Sequence, residues 1–222
     1  MSSVRSVTYL DLERLDTPQG RFYVTPDGLA PSVTTILSKT SDNSWLEEWR
    51  NRVGAEEADR LGKIGSTIGT EMHNALELLM TNQPLQEAIT EYQVMAHKMA
   101  KAIKALVFKN KTVQCATEVK LHYGCLYAGT TDLILSNWNG EEAIIDYKSC
   151  SAFRNKDTVD KHAMQISAYG LAHNWMYGTD IRTAVVIQCT RQCNIKVSVY
   201  RGDDYDAAAN RWADAVERFY AK

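Results

Sequence analysis

The stretch AGTTDLILSNWNGEEAIIDYKS, residues 128–149, sets two carboxylates and an ammonium inside two apolar runs. Asp132 lies in the first run, and Asp146 and Lys148 lie in the second. Asn139-Gly140 between them is a turn signal, so the segment reads as a β-hairpin. Ile144 and Ile145 are consecutive, which marks the second strand as buried on both faces. Charges inside such a strand need partners, because burying an unpaired carboxylate is costly.

The register of the hairpin decides whether the two carboxylates meet. Directly opposed residues of an antiparallel pair point to the same face. A two-residue loop at Asn139-Gly140 would oppose Asp132 to Tyr147 and put the acids on opposite faces. A three-residue loop, Trp138-Asn139-Gly140, pairs Asn137 with Glu141 and therefore Asp132 with Asp146, about 5 Å apart at Cβ. Gly140 would then take the left-handed position of a G1 bulge. We expect this second register. Lys148, two residues beyond Asp146, shares its face. One lysine does not satisfy two carboxylates, whereas a divalent cation does, and hard oxygen ligands suit Mg²⁺ with Mn²⁺ as a substitute. Taken without its surroundings, D-x-K in a strand reads as a structural ion pair.

The rest of the chain supplies those surroundings. Helical periodicity predicts a helix over SWLEEWRNRVGAEEADRLG, another over STIGTEMHNALELLMTN and a longer one over LQEAITEYQVMAHKMAKAIKALVFKN. Ser32 is a candidate N-cap for VTTILSK. A strand VQCATEVKLHY precedes the hairpin. After it come a helix ending at Gly178, two strands, TAVVIQCT and IKVSVYR, and a terminal helix with an acidic first turn. This order predicts an α/β chain with a central mixed sheet flanked by helices. With 222 residues and no linker-like or repeated stretch, it reads as one domain over 1–222. Residues from about 20 to 110 form an N-terminal strand and helical part, about 112 to 200 the sheet and its helix, and 203–222 the last helix.

A net charge of −2 excludes a generally basic nucleic-acid binder, so any polyanion must meet a local patch. Five cysteines in no scaffold spacing read as reduced thiols, and Cys189 with Cys193 is too few ligands for a metal cluster. No apolar run is long enough to span a membrane and no leader is visible, which suggests a cytoplasmic protein.

Asp132 followed by Asp146-Tyr147-Lys148 resembles the motif of the PD-(D/E)XK nuclease superfamily: an acid, a hairpin-like connection, then acid-x-Lys. Four further stretches resemble its RecB-like branch. These are GTEMHNALE with His73, ATEVKL with Glu118, GTTDLIL around Asp132, and MQISAYGLA with Gln165 and Tyr169. APSVTTILSKT with WLEEWR resembles the mitochondrial genome maintenance exonuclease group and phage exonucleases. Thr131 stands where the superfamily name has proline, and no cysteine precedes the helix of His73, so no iron–sulfur cluster is expected.

The resemblance implies a restriction-endonuclease-like core with N-terminal helical additions, acting as a Mg²⁺-dependent DNA exonuclease at free ends. Single strands would be favoured over duplex ends, in phage-type recombination, repair or processing, in the cytoplasm of a host cell if viral. A single-strand-binding or annealing protein would be its partner. His73, Glu118, Asp132, Asp146 and the Tyr147 carbonyl are the implied metal ligands. Asp132, Asp146, Lys148, Gln165 and Tyr169 are the implied catalytic group. Lys98, Lys101 and Lys104 fall along one helical face as a track for the DNA backbone, with Lys109 and Lys111 nearby, or as a solvated face. Trp45 and Trp49 read as core at this spacing, with base stacking the other reading. A structure-specific endonuclease and a non-catalytic binding module on a decayed nuclease fold are the rival functions.

Overall fold

The alternation along the hairpin needs a helical layer on each side, and both are present. The computed structural model describes residues 7–108, 115–153 and 156–221. A five-stranded sheet runs in the order β4 (Cys115–Tyr123), β5 (Tyr127–Trp138), β6 (Glu141–Cys150), β7 (Ala184–Thr190), β8 (Ile195–Tyr200). β6 and β7 are parallel and the other neighbours antiparallel. The parallel step is made by the crossover helix α5 (Lys156–Tyr177).

Leu133, Leu135, Ile145 and Val185 pack on one face with α3 (Ala55–Met80) and α4 (Glu91–Val107). Ile134, Ile144, Ala184 and Val186 pack on the other with α5 and α6 (Asp203–Tyr220). Residues of opposite parity thus serve opposite layers. All of β7 is buried, as a strand covered on both sides must be.

A smaller sheet, β1 (Glu13–Thr17), β2 (Gly20–Thr25) and β3 (Gly28–Pro31), lies against the start of β5. The Tyr23 hydroxyl is 3.1 Å from Thr130 Oγ1, and Ser32 bridges to Ala128. Ser32 caps α1 (Val33–Thr40) as expected, its side chain accepting from Thr35 N. β1 has no sequence signature because it is mostly exposed and carries no alternation.

Three boundaries differ from expectation. The helix expected from residue 44 breaks at Gly54, whose φ of 90° leaves the helical region. It separates α2 (Ser44–Val53) from α3, which then runs unbroken for 26 residues through the expected gap. α4 starts at Glu91 rather than near 85, because Thr90 and Gln93 form a capping box there.

The hairpin loop is also corrected. Asn139 (φ 55°) and Gly140 (φ 100°) form a two-residue turn, with Trp138 opposite Glu141. Positive φ at both central positions is the geometry for which Asn-Gly is suited. Left alone, this turn would separate the two acids. A bulge intervenes: residues 136 and 137 of β5 stand against 142 of β6, and the pairs resume as Leu135–Ala143, Ile134–Ile144 and Leu133–Ile145. The next step of that register brings Asp132 level with Asp146. The expected register at the acids therefore holds, but the bulge sets it and not the loop.

Candidate active site

The carboxylate of Asp132 is held from two sides. Its Oδ2 accepts a 2.6 Å hydrogen bond from the backbone N–H of Tyr147, and its Oδ1 lies 3.2 Å from Nδ1 of His73. His73 comes from the middle of α3, and its Nε2 lies 2.9 Å from the Tyr147 carbonyl oxygen. Both ring nitrogens thus face oxygen acceptors, which is the environment of an imidazolium donating twice. Burial opposes that charge, but the adjacent Asp132 carboxylate outweighs it and holds the imidazole up to about 9. Burial likewise opposes charge on Asp132, and His73 outweighs it, keeping the Asp132 carboxyl below its usual range.

Asp146 belongs to a second chain of contacts. Only 2% exposed, it accepts a 2.9 Å hydrogen bond at Oδ1 from Lys148 Nζ. Its Oδ2 is 2.8 Å from the same nitrogen but outside hydrogen-bonding direction. Burial pushes the Asp146 carboxyl up to about 6, against the pull of Lys148. Lys148 Nζ also donates to Gln165 Oε1 at 3.2 Å, and Gln165 Nε2 donates to the Tyr169 hydroxyl at 3.2 Å. Gln165 and Tyr169 are one helical turn apart on α5, so one face of the crossover helix steadies the lysine. The ring of Tyr169 fits because Gly129 has no Cβ; one built there would lie 2.6 Å from Tyr169 Cε1.

Glu118 sits across from Asp132 in the β4–β5 register, between the pairs Thr117–Leu133 and Val119–Thr131. The Glu118–Asp132 pair itself is broken, because Glu118 has a φ of 50°. A left-handed glutamate in mid-strand costs about 1–2 kcal/mol. The distortion accompanies the approach of its carboxylate to the other two side chains: one ligand atom each from His73, Glu118 and Asp132 lies within 4.8 Å of the others. Part of the Glu118 side chain stays exposed, but loss of hydration at its carboxyl, with Asp132 beside it, pushes it up to about 7. Two carboxylates and an imidazole converging at this spacing can hold a divalent cation, and the donor set is that of Mg²⁺ or Mn²⁺. Asp146 is not in this trio, and its carboxylate is engaged by Lys148.

His73, Glu118, Asp132, Asp146, Lys148, Gln165 and Tyr169 border one cavity of about 490 Å³. The sequence did not mark several of its walls: Arg14 and Arg21 from the small sheet, Ser32 and Thr34 at the start of α1, and Asn74 and Glu77 from α3. Glu77 had a signal, being four residues after His73 on the same helix face. The arginines had none, since only the tertiary docking of β1 and β2 brings them near. A second cavity, about 520 Å³, is bordered by Glu141, Asp180, Arg182 and Arg201 far from these carboxylates. Its charges pair locally, Arg182 with Asp206 and Arg201 with Glu141.

Lys98, Lys101 and Lys104 lie on α4 and none borders the catalytic-type cavity; Lys104 Nζ rests 3.7 Å from Met80 Sδ. Lys109 and Lys111 lie outside the described residues. The core reading of Trp45 and Trp49 is overturned: no residue of α2 is buried, and Trp45 is 52% exposed. The i, i+4 stripe there is real but has no partner layer over it. No described helix is long and apolar enough to cross a membrane.

No family model matches the chain, and no curated protein matches it either. Among solved structures, it is similar to a candidate exonuclease from Eubacterium rectale, with a TM-score of 0.49 at 13% identity, over 70% of this chain and 64% of that one. The match therefore spans just under two thirds of that protein's length. An alkaline exonuclease from Laribacter hongkongensis matches with a TM-score of 0.38 at 12% identity, over 68% of this chain and 76% of that one. A protein designated SSO0001 matches with a TM-score of 0.34 at 16% identity, over 68% and 84%.

Proposed function

We propose that this chain is a metal-dependent DNA exonuclease of the PD-(D/E)XK type, RecB-like branch. The observation that carries the reading is one cavity holding both a His73–Glu118–Asp132 ligand cluster and a Lys148 ammonium fixed between Asp146 and Gln165. A structural ion pair accounts for Asp146 and Lys148 but not for the strained Glu118 beside Asp132.

His73, Glu118, Asp132 and Asp146, with the Tyr147 carbonyl, are the residues that would hold Mg²⁺, with Mn²⁺ as substitute. The bound cation supplies polarisation of a phosphate oxygen and a lowered pKa for coordinated water. The protein's own contribution centres on Lys148. An ammonium has three N–H groups; Asp146 and Gln165 take two, leaving one for the attacking water or for the phosphate oxygen on which charge accumulates. Gln165, itself held by Tyr169, fixes the direction of that remaining donor. Contacts of this kind read phosphates and not bases, as suits a processing enzyme. We assign it single-stranded ends in preference to duplex ends, and a place in phage-type recombination or repair in the cytoplasm, beside a single-strand-binding or annealing protein.

The test is one labelled linear single strand, its duplex and a closed circle, incubated with Mg²⁺, with EDTA, and with Asp146→Ala. Cleavage of linear DNA alone, dependent on Mg²⁺ and Asp146, is the expected result. Cleavage of circles would replace the reading with an endonuclease. Binding without cleavage under Mg²⁺ or Mn²⁺ would replace it with a non-catalytic module.

A further inference from the structure

We infer that Arg14 and Arg21, from the small N-terminal sheet, form a phosphate clamp at the mouth of the cavity, with Asp16 as an exchangeable internal counterion. The inference rests on the nuclease reading and deepens it by naming the groups that receive the substrate backbone.

The charge inventory of the cavity motivates it. Glu77, Glu118, Asp132 and Asp146 all border the cavity. Lys148 is committed to Asp146, and His73 to Asp132. A polyanion entering this space meets carboxylates whose local cations are already engaged. Arg14 and Arg21 border the same space and are bound differently. Both rely on the single carboxylate of Asp16, at 2.7 Å from Arg14 Nη2 and 3.1 Å from Arg21 Nε. The three side chains are 44%, 37% and 60% exposed, so these are solvent-screened surface pairs, readily exchanged. Two guanidiniums sharing one carboxylate also leave a net positive charge at the rim. A phosphodiester offers the same bidentate oxygen geometry that Asp16 offers.

The mount is rigid even though the side chains are not. Arg21 N–H donates to Thr35 Oγ1 at 2.9 Å, and its carbonyl accepts from Ser32 N at 2.8 Å and from Thr35 Oγ1 at 3.1 Å. The register places Asp16 opposite Arg21 and Arg14 opposite Tyr23. Tyr23 in turn is tied to Thr130, two residues before Asp132 on β5. The arginines are therefore held at a set distance from the ligand cluster by backbone and not by loop. The lysines of α4 border none of this cavity.

The experiment measures binding of a fluorescein-labelled oligothymidylate by anisotropy in EDTA, across a salt series, so that cleavage does not enter. Wild type is compared with Arg14→Ala/Arg21→Ala, Arg14→Lys/Arg21→Lys, and Arg218→Ala, an exposed arginine of α6. The double alanine variant is expected to bind about tenfold more weakly, with a log–log salt slope shallower by about 1.4, the value for two phosphate contacts on a single strand. The lysine variant should recover the slope, which a folding defect would not allow, and Arg218→Ala should match wild type. If wild type binds and cleaves but the double alanine variant matches Arg218→Ala, the clamp is refuted and the nuclease reading stands. If wild type neither binds nor cleaves, the nuclease reading itself falls and the clamp falls with it.

Discussion

Nδ1 of His73 lies 3.2 Å from Oδ1 of Asp132, and this contact crosses from the helical layer to the sheet. The partner carboxylate is what keeps a buried imidazole charged. In Asp132→Asn the attraction disappears while burial remains, so His73 should titrate below 6.5 instead of near 9. The imidazole C–H resonances in a pH series would report it. A His73 that still titrated near 9 in the variant would show that Asp132 is not the cause.

The proton on His73 also opposes a metal ion. An imidazole binds metal only when neutral, so coordination by His73 must release a proton wherever the metal-free protein holds one. With the metal-free group raised to about 9, Mn²⁺ affinity should climb as pH rises from 6.5 towards 9. Calorimetry at pH 8.5, where Glu118 and Asp146 are already ionised and His73 still holds most of its proton, in two buffers of different ionisation enthalpy should detect release of up to one proton. His73→Gln should abolish it, and an unchanged proton count in that variant would assign the release elsewhere.

Lys148 and its supports should separate by size of effect. Lys148→Ala removes the remaining donor and should lower kcat about 10²–10⁴-fold with KM much less affected. Tyr169→Phe removes one hydrogen bond to Gln165, worth about 1 kcal/mol, and should lower kcat only about fivefold. Equal losses in the two variants would argue against Tyr169 acting through Gln165. Gly129→Ala should be worse than Tyr169→Phe, because its methyl displaces the ring outright.

The two tryptophan environments should differ in stability. Trp45→Ala, on an unburied helix, should change the unfolding free energy by less than about 0.5 kcal/mol. Trp212→Ala, where the ring is 1% exposed and edge-on to Tyr127 at 4.9 Å, should cost about 3–5 kcal/mol. Urea unfolding of both variants decides it, and a large loss in Trp45→Ala would mean that α2 is buried in solution.

Much of the centre was legible because its chemistry conflicts with its surroundings. Asp132 and Asp146 stand out in runs where Ile134, Ile144 and Ile145 demand burial, and a pair of acids there has few structural excuses. Gln165 and Tyr169 came from their helical spacing and the resemblance, and both touch the lysine's network. Other features left no trace. The left-handed φ of Glu118 is a tertiary outcome on a residue with no preference for it. The arginines of the rim lie more than a hundred residues from Asp132 in the chain, and neither periodicity nor composition links them. Trp45 misled because an apolar stripe states that a face can be covered, not that anything covers it.

The bulge at Ser136-Asn137 makes the tip of the hairpin a counting device. Side-chain direction along a strand has a parity, and this single extra residue sets it for everything between the tip and the acids. Deleting Ser136 while keeping the Asn139-Gly140 turn would remove the bulge and leave Asp132 level with Asp146, whereas inserting one residue beside Ser136 with the bulge kept would slide Asp132 opposite Tyr147 and turn it into the other layer. Sequence change at this tip is therefore restricted in length as well as by the positive φ of Asn139 and Gly140 and the burial of Trp138. A one-residue insertion far from any ligand atom should silence the centre as completely as replacing Asp132, while the Ser136 deletion should leave it active, and an active insertion variant would show that the turn can re-form to restore the count.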